Sequence, residues 1–206
     1  MNLNDKQIQI LIIAEQLFAE HGFGATSVRQ IAKKADINIA MISYYFGSKE
    51  KLLETLLEYR TLDFRNEITN IIKNDTLTYI EKLDTMVMLL IKRIHKNRRI
   101  HKILHFEHSN GLRNITIEKY IEHKLKNYTL IESFIKDGQK NGVFVSNIEI
   151  PLIFPTILGS YFSFYYNKKL FKIIYKLEDK DIDDFVFHTL TKHIQKTIKA
   201  ILTYEN

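Results

Sequence analysis

The sequence predicts an all-α protein in which a small three-helix N-terminal domain precedes a larger helical body, about nine helices in total. Three observations predict it. Seven Gly and two Pro in 206 residues are too few for the many tight turns of a sheet protein. Leu, Ile, Lys and Glu instead suit long helices. Apolar residues also recur at steps of three and four, and helix start and stop residues alternate along the first fifty positions.

The elements follow in order. Between Gln7 and His21, Ile10, Ala14, Leu17 and Phe18 form one apolar stripe. Gly22 ends that helix, and Phe23 is placed to fold back on its last turn. Ser27 and Gln30, three apart, read as a capping box for a short second helix with Val28, Ile31, Ala32 and Ala35 on its apolar face. Asp36-Ile37-Asn38 then supplies a turn and a new N-cap at Asn38. In the third helix, Ile39 to Phe46, Ile42 and Phe46 point inward, while Ser43, Tyr44 and Tyr45 mostly face out. Gly47 stops it and Ser48 caps a fourth. Two short helices joined by a tight turn between longer ones make a helix-turn-helix, whose second short helix enters the DNA major groove. From Ser48 onward the chain reads as six helices, with breaks near Asn74-Asp75, Asn97-Arg98, Asn110-Gly111, Gly142 and Glu178 to Asp181.

Composition excludes several function classes. No cysteine means no disulfide, thiolate metal site or cysteine nucleophile, which fits a reducing compartment. The N-terminus has no basic cluster leading into an apolar stretch, so no secretory leader is expected and the expected location is cytoplasmic. The uncharged run Ile150 to Asn167 approaches the ~18 residues of a membrane span. Pro151, Pro155, Gly159, Ser160 and Ser163 favour a buried interface helix instead. With no Gly-rich phosphate loop, telling carboxylate pair or nucleophile context, neither an enzyme nor a cofactor is expected. The net charge of +6 suits a polyanion, but Gly24 to Lys51 contributes only +3: Arg29, Lys33, Lys34, Lys49 and Lys51 against Asp36 and Glu50.

The run ATSVRQIAKKADINIAMISYYFGSKEKLL, together with Gly22-Phe23, resembles the DNA-binding signature of the TetR family of bacterial repressors. It departs from the family pattern at Asp36, usually Gly, at Met41, often Thr, and at Ser43, often Tyr. Asp tolerates the left-handed turn, at a cost of roughly 1 kcal/mol. The other two lie on the reading helix, so they bear on which operator is read. The resemblance implies a DNA-binding domain over residues 1–47, with the reading motif at 27–46, and a helical regulatory and dimerisation domain over 48–206. It implies phosphate contacts from Thr26, Ser27, Tyr44, Tyr45 and Lys49. Arg29 would offer its fork to a guanine, while Asn38, Ile39, Ala40, Met41 and Ser43 line the groove edge. The structural alternatives are that Ser27 and Asn38 only cap helices, Tyr45 packs on the core and Lys49 is a solvated charge.

Phe134 to Phe144 also resembles the family's regulatory domain, where a helix ends in a Gly turn before the last two helices. In the family those helices pair with their copies in a four-helix bundle; here they would be roughly Pro151 to Lys168 and Ile182 to Tyr204. Phe187, Leu190, Ile194, Ile198 and Ile201 form a seam on the final helix, expected at a dimer interface, with packing inside the same subunit as the alternative.

The resemblance implies an effector pocket, for which His101, His105, Phe106, Tyr128, Phe134 and Phe162 are the candidates; they belong to a wider aromatic set that includes Phe154, Phe164 and Tyr165, most of which is expected to be core or interface. His101, His105 and His108 share a helical face with metal-like spacing, but they sit beside Arg98, Arg99 and Lys102 and read as surface or pocket groups, so no metal is expected. The basic run from Lys92 to Lys102 is a solvated face or a mark of an anionic ligand.

The expected function is a homodimeric transcriptional repressor on double-stranded DNA, released from a palindromic operator by an unidentified small-molecule effector, with no membrane partner. The alternative is a helix-turn-helix protein acting mainly through protein partners, for example in chromosome organisation.

Overall fold

The computed structural model describes residues 3–61, 64–109 and 118–204, with only the backbone described at 106–109 and 118–119. These residues are helical, with no strand among them. The helices are α1 Asp5–His21, α2 Val28–Lys34, α3 Ile39–Phe46, α4 Lys49–Thr61, α5 Phe64–Ile72, α6 Tyr79–Lys96, α7 Arg98–Ser109, α8 Glu118–Lys140, α9 Ile150–Tyr166 and α10 Lys168–Tyr175. A final rod runs through α11 Ile182–Asp184, a π-helical segment Phe185–Leu190 and α12 Thr191–Thr203. Among the described residues no helix is long and apolar enough to cross a membrane; the uncharged run is α9.

The chain forms two compact units: Met1–Phe64 with Lys96–Asn127, and Arg65–His95 with Tyr128–Asn206. In the first, the stripe of α1 meets Ile31 and Ala32 of α2, Ile42 and Phe46 of α3, and Leu52, Leu53, Leu56 and Leu57 of α4. Ile100 and Ile103 of α7 complete this core. Packing therefore joins α4 and α7 to the N-terminal helices, beyond the boundary at residue 47 expected from the sequence. Burial of the α4 and α7 apolar faces against α1 is what extends it.

The second unit is built on inward faces at helical spacing. Val87, Ile91 and Ile94 of α6, Ile153, Ile157, Tyr161 and Phe164 of α9, and Ile194, Ile198 and Leu202 of α12 are all buried. At the end of α8, Gly142 takes φ +72°, and the Val143 N–H donates to Gly138 O at 2.9 Å. This left-handed cap satisfies carbonyls of the last turn. It returns Phe144 against Gly138, where a β-carbon would lie 2.2 Å from the ring. Phe144, Phe134 and Tyr79 then form a cluster with centroids 5.7 to 5.9 Å apart.

One sequence expectation is corrected here. Leu190, Ile194 and Ile198 are 9, 1 and 0% exposed, so the seam of the last helix faces the chain's own core and not a partner. Phe187 lies against the His95 ring at 5.3 Å, and Ile201 alone of the five is exposed. The periodicity showed that the seam needs a partner; α9 and α6 of the same chain supply it. The separate helix α10 and the π-helical segment were not anticipated either.

Candidate nucleic-acid interface

The reading helix is set by local capping. The Gln30 N–H donates to Ser27 Oγ at 3.2 Å, and the Ser27 N–H donates to Gln30 Oε1 at 2.7 Å, closing the capping box of α2. At its other end Asp36 adopts φ +51°. Its N–H donates to Lys33 O at 3.3 Å, and the Ile37 N–H donates to Ala32 O at 3.1 Å. That is a Schellman turn with Asp in the position Gly normally holds. It turns the chain sharply enough for Asn38, whose side-chain oxygen accepts the Ala40 N–H at 2.8 Å, to start α3 at once.

Ile42 and Phe46 anchor α3 to the core. The opposite face presents Ile39, Ala40, Ser43 and Tyr44, all exposed, with Tyr44 at 81%. Met41 is half-buried. Tyr45 is half-buried against the core, and its ring meets Tyr44 edge-on at 5.3 Å. Ser27, Arg29 and Asn38 are exposed. Lys33 and Lys34 in the last turn of α2 are exposed as well; the sequence reading counted them only as charge.

Thr26 and Lys49 are placed differently from expectation. Thr26 is 0% exposed, with its hydroxyl 2.8 Å from Gly22 O and 3.2 Å from Leu17 O. It closes the α1–α2 corner and has no surface from which to meet a phosphate. The Lys49 ammonium donates to Phe23 O and Thr26 O, both at 2.9 Å, and sits 4.3 Å from the centroid of the Phe23 ring. Two of its three N–H groups thus brace the same corner from α4. Sequence spacing locates such a lysine but cannot tell an inward brace from an outward contact. A second brace is ionic: Arg60 Nε of α4 donates to the buried Glu15 carboxylate of α1 at 2.9 Å.

The expected effector residues are divided between the two units: His101 and His105 belong to the first, and Tyr128, Phe134 and Phe162 to the second. His101 is half-buried, and desolvation followed by the Lys124 charge lowers its pKa to about 4. His105 is exposed. The side chains of Phe106 and His108 lie outside the described residues. Phe134 is 4% exposed and is core in the Tyr79–Phe144 cluster, while Phe162 stacks on Tyr166 with centroids 5.7 Å apart.

One polar chain was missed. His95, on the apolar face of α6, has Nδ1 2.8 Å from the hydroxyl of the fully buried Tyr161 and Nε2 3.0 Å from Asp183 Oδ1. It joins α6, α9 and α11 within the second unit. A histidine in phase with Val87, Ile91 and Ile94 was the available signal.

On the opposite side of α9 from its buried stripe, Leu152, Gly159, Ser163 and Tyr166 are exposed and Thr156 is half-buried. At the start of that face a groove of about 600 Å³ is lined by Ile148, Leu152, Ile153, Thr156, Ile201 and Tyr204, among others.

The model of the family described as "Bacterial regulatory proteins, tetR family" matches residues 10–56, which hold most of α1, all of α2 and α3, and the first turns of α4. Relatives include a probable HTH-type transcriptional regulator, YttP, of Bacillus subtilis, 30% identical over 139 residues. That match covers 64% of this chain and 64% of the relative, a little under two thirds of its length. The HTH-type transcriptional repressor KstR2 of Mycobacterium tuberculosis is 25% identical over 154 residues, covering 74% and 76%. The structure of the fatty acid degradation regulator FadR from Bacillus halodurans shares the fold, with a TM-score of 0.71 at 21% identity over 98% of this chain and 97% of that one. Residues 10–56, which hold the capped helix-turn-helix, thus match the tetR family of bacterial regulatory proteins, and the chain as a whole is similar in fold to FadR.

Proposed function

We propose that the protein is a DNA-binding transcriptional regulator, a repressor that grips a palindromic operator as a homodimer and is released by a small-molecule effector. The observation that carries the DNA reading is the outer face of α3. Ile39, Ala40 and Ser43 are short enough to let the helix backbone approach base edges, while Ile42 and Phe46 hold it rigid from behind. Ser27 and Tyr44 reach phosphates through exposed hydroxyls, with Tyr45 beside them. Arg29 reads a base, and Lys33 and Lys34 add phosphate contacts. Asn38 and Met41 border the same groove. Thr26 and Lys49 act from behind, as braces. Residues 1–47 carry DNA recognition, and residues 48–206 carry regulation and dimerisation.

A single short helix-turn-helix needs two half-sites for useful affinity, which requires a second copy. The surface proposed for it is the outward face of α9, with Leu152, Thr156, Gly159, Ser163 and Tyr166, joined by Ile201 and Tyr204 at the groove. Small residues in the middle of that face let a partner helix come close. The effector favours a dimer whose heads do not match two successive half-sites, which is release by differential affinity.

Selection of bound sequences from random duplexes with purified protein tests the reading. A palindrome with half-sites about one helical turn apart is expected, and Tyr44→Ala should weaken it. Recovery of no sequence above background would overturn the DNA assignment. Equal effector affinity for free and operator-bound protein would overturn the release step.

A further inference from the structure

Helix α10 carries apolar side chains on two sides, one packed and one exposed. Phe171 meets Phe164 at 5.3 Å and Tyr175 meets Phe185 at 4.8 Å, so one side is anchored to the second unit. No residue of α10 is buried, and Leu170, Ile173 and Ile174 are 53, 77 and 59% exposed on the other side. Spaced i, i+3, i+4, these three make a compact aliphatic stripe of the kind that docks on a partner. Tyr166, at the end of the outward face of α9, is 52% exposed and lies two residues before α10 begins.

The charge around the stripe selects its occupant. Lys168, Lys169, Lys172 and Lys176 make the first limb purely basic. Glu178, Asp179, Asp181, Asp183 and Asp184 follow immediately, with only Lys180 among them. The segment 168–184 thus holds five basic and five acidic groups, sorted into two halves. Lys172 pairs with Asp179 at 3.0 Å and Lys180 with Glu178 at 2.8 Å inside the chain, which leaves Lys168, Lys169 and Lys176 of the basic limb to face a second copy. An anionic membrane or nucleic acid attracted by the first half is repelled by the second. A second copy related by a two-fold axis is complementary to both, because antiparallel apposition lays each basic limb over an acidic one.

We propose that α10 is a dimerisation arm: Leu170, Ile173 and Ile174 of each chain dock on the second copy beside its acidic 178–184 segment, continuing the α9 interface. This inference rests on the homodimer reading above and extends it to a part of the chain outside the last two helices expected to form the bundle.

Sedimentation equilibrium of the full-length protein tests it. Ile173→Glu with Ile174→Glu replaces exposed side chains, so helicity and thermal midpoint serve as controls for folding. The dimer dissociation constant is expected to rise at least tenfold while those controls hold. Lys169→Glu with Lys176→Glu is expected to weaken the dimer severalfold, and adding Glu178→Lys with Asp184→Lys is expected to restore it. A dissociation constant equal to that of wild type in the isoleucine variant overturns the arm. If Gly159→Arg on α9 dissociates the dimer in the same series, the homodimer reading stands without the arm; a wild-type chain that is monomeric at micromolar concentration overturns both. Co-sedimentation with phosphatidylglycerol vesicles, lost in the isoleucine variant while the dimer is unaffected, assigns the stripe to a membrane and overturns the proposal.

Discussion

Replacing Asp36 by Gly should make the protein more stable. Asp36 is at φ +51°, where an L side chain crowds its own backbone, and no structural change is needed to admit Gly there. The left-handed conformation costs an ordinary residue about 1–2 kcal/mol, with Asp toward the low end. Gly removes that cost but gives the unfolded chain more freedom, which takes back about 0.4–1 kcal/mol. The net gain is at most about 0.6 kcal/mol, or up to roughly 2 °C in thermal midpoint for a chain of this size. Calorimetry or circular dichroism melting of Asp36→Gly, Asp36→Asn and Asp36→Ala checks it. Asn controls for the lost charge and should melt close to wild type. Ala keeps the crowding without a polar group to offset it and should melt lower. A Gly variant melting below wild type, or no higher than the Ala variant, would refute the reasoning, since it would mean that the turn holds no relievable strain.

Other outcomes follow from the same geometry. Lys49→Met keeps the contact with Phe23 but loses both carbonyl bonds, so stability in urea should fall by about 1–2 kcal/mol. The salt slope of operator binding should then change by much less than the ~0.9 of one lost phosphate contact. Because the His101 pKa is depressed in the folded state, the unfolded chain takes up that proton first. Stability should therefore decline as pH falls from about 6.5 to about 4, by about 2 kcal/mol after allowing for partial exposure, and His101→Gln should flatten that part of the stability profile. Gly138→Ala would drive a methyl into the Phe144 ring and should cost about 1–3 kcal/mol by denaturant titration, partly recovered in the Gly138→Ala, Phe144→Leu double variant.

The first fifty residues were legible because their information is local. Ser27 with Gln30, Asn38, and Gly22 and Gly47 act on backbone groups within a turn of themselves, and each occupies its expected cap. The strained turn at Asp36 was legible for the same reason, being a conflict between one side chain and its own backbone. Farther along, the breaks near Asn74-Asp75, Asn97 and Gly142 stand where turn-forming residues cluster. The last helices, too, begin and end within about two residues of expectation.

What the sequence determined by itself, then, is where helices start and stop and which face of each is apolar, since capping and periodicity act over three or four residues. Which surface that face meets was decided by the tertiary structure. Leu190, Ile194 and Ile198 carry the same pattern whether their partner is a second chain or α9, and only three-dimensional packing turned them inward. Thr26 and Lys49 likewise became braces because carbonyls up to twenty-six positions away along the chain came within reach of their side chains. Burial and long-range hydrogen bonding depend on neighbours remote in sequence, and no local pattern encodes those neighbours.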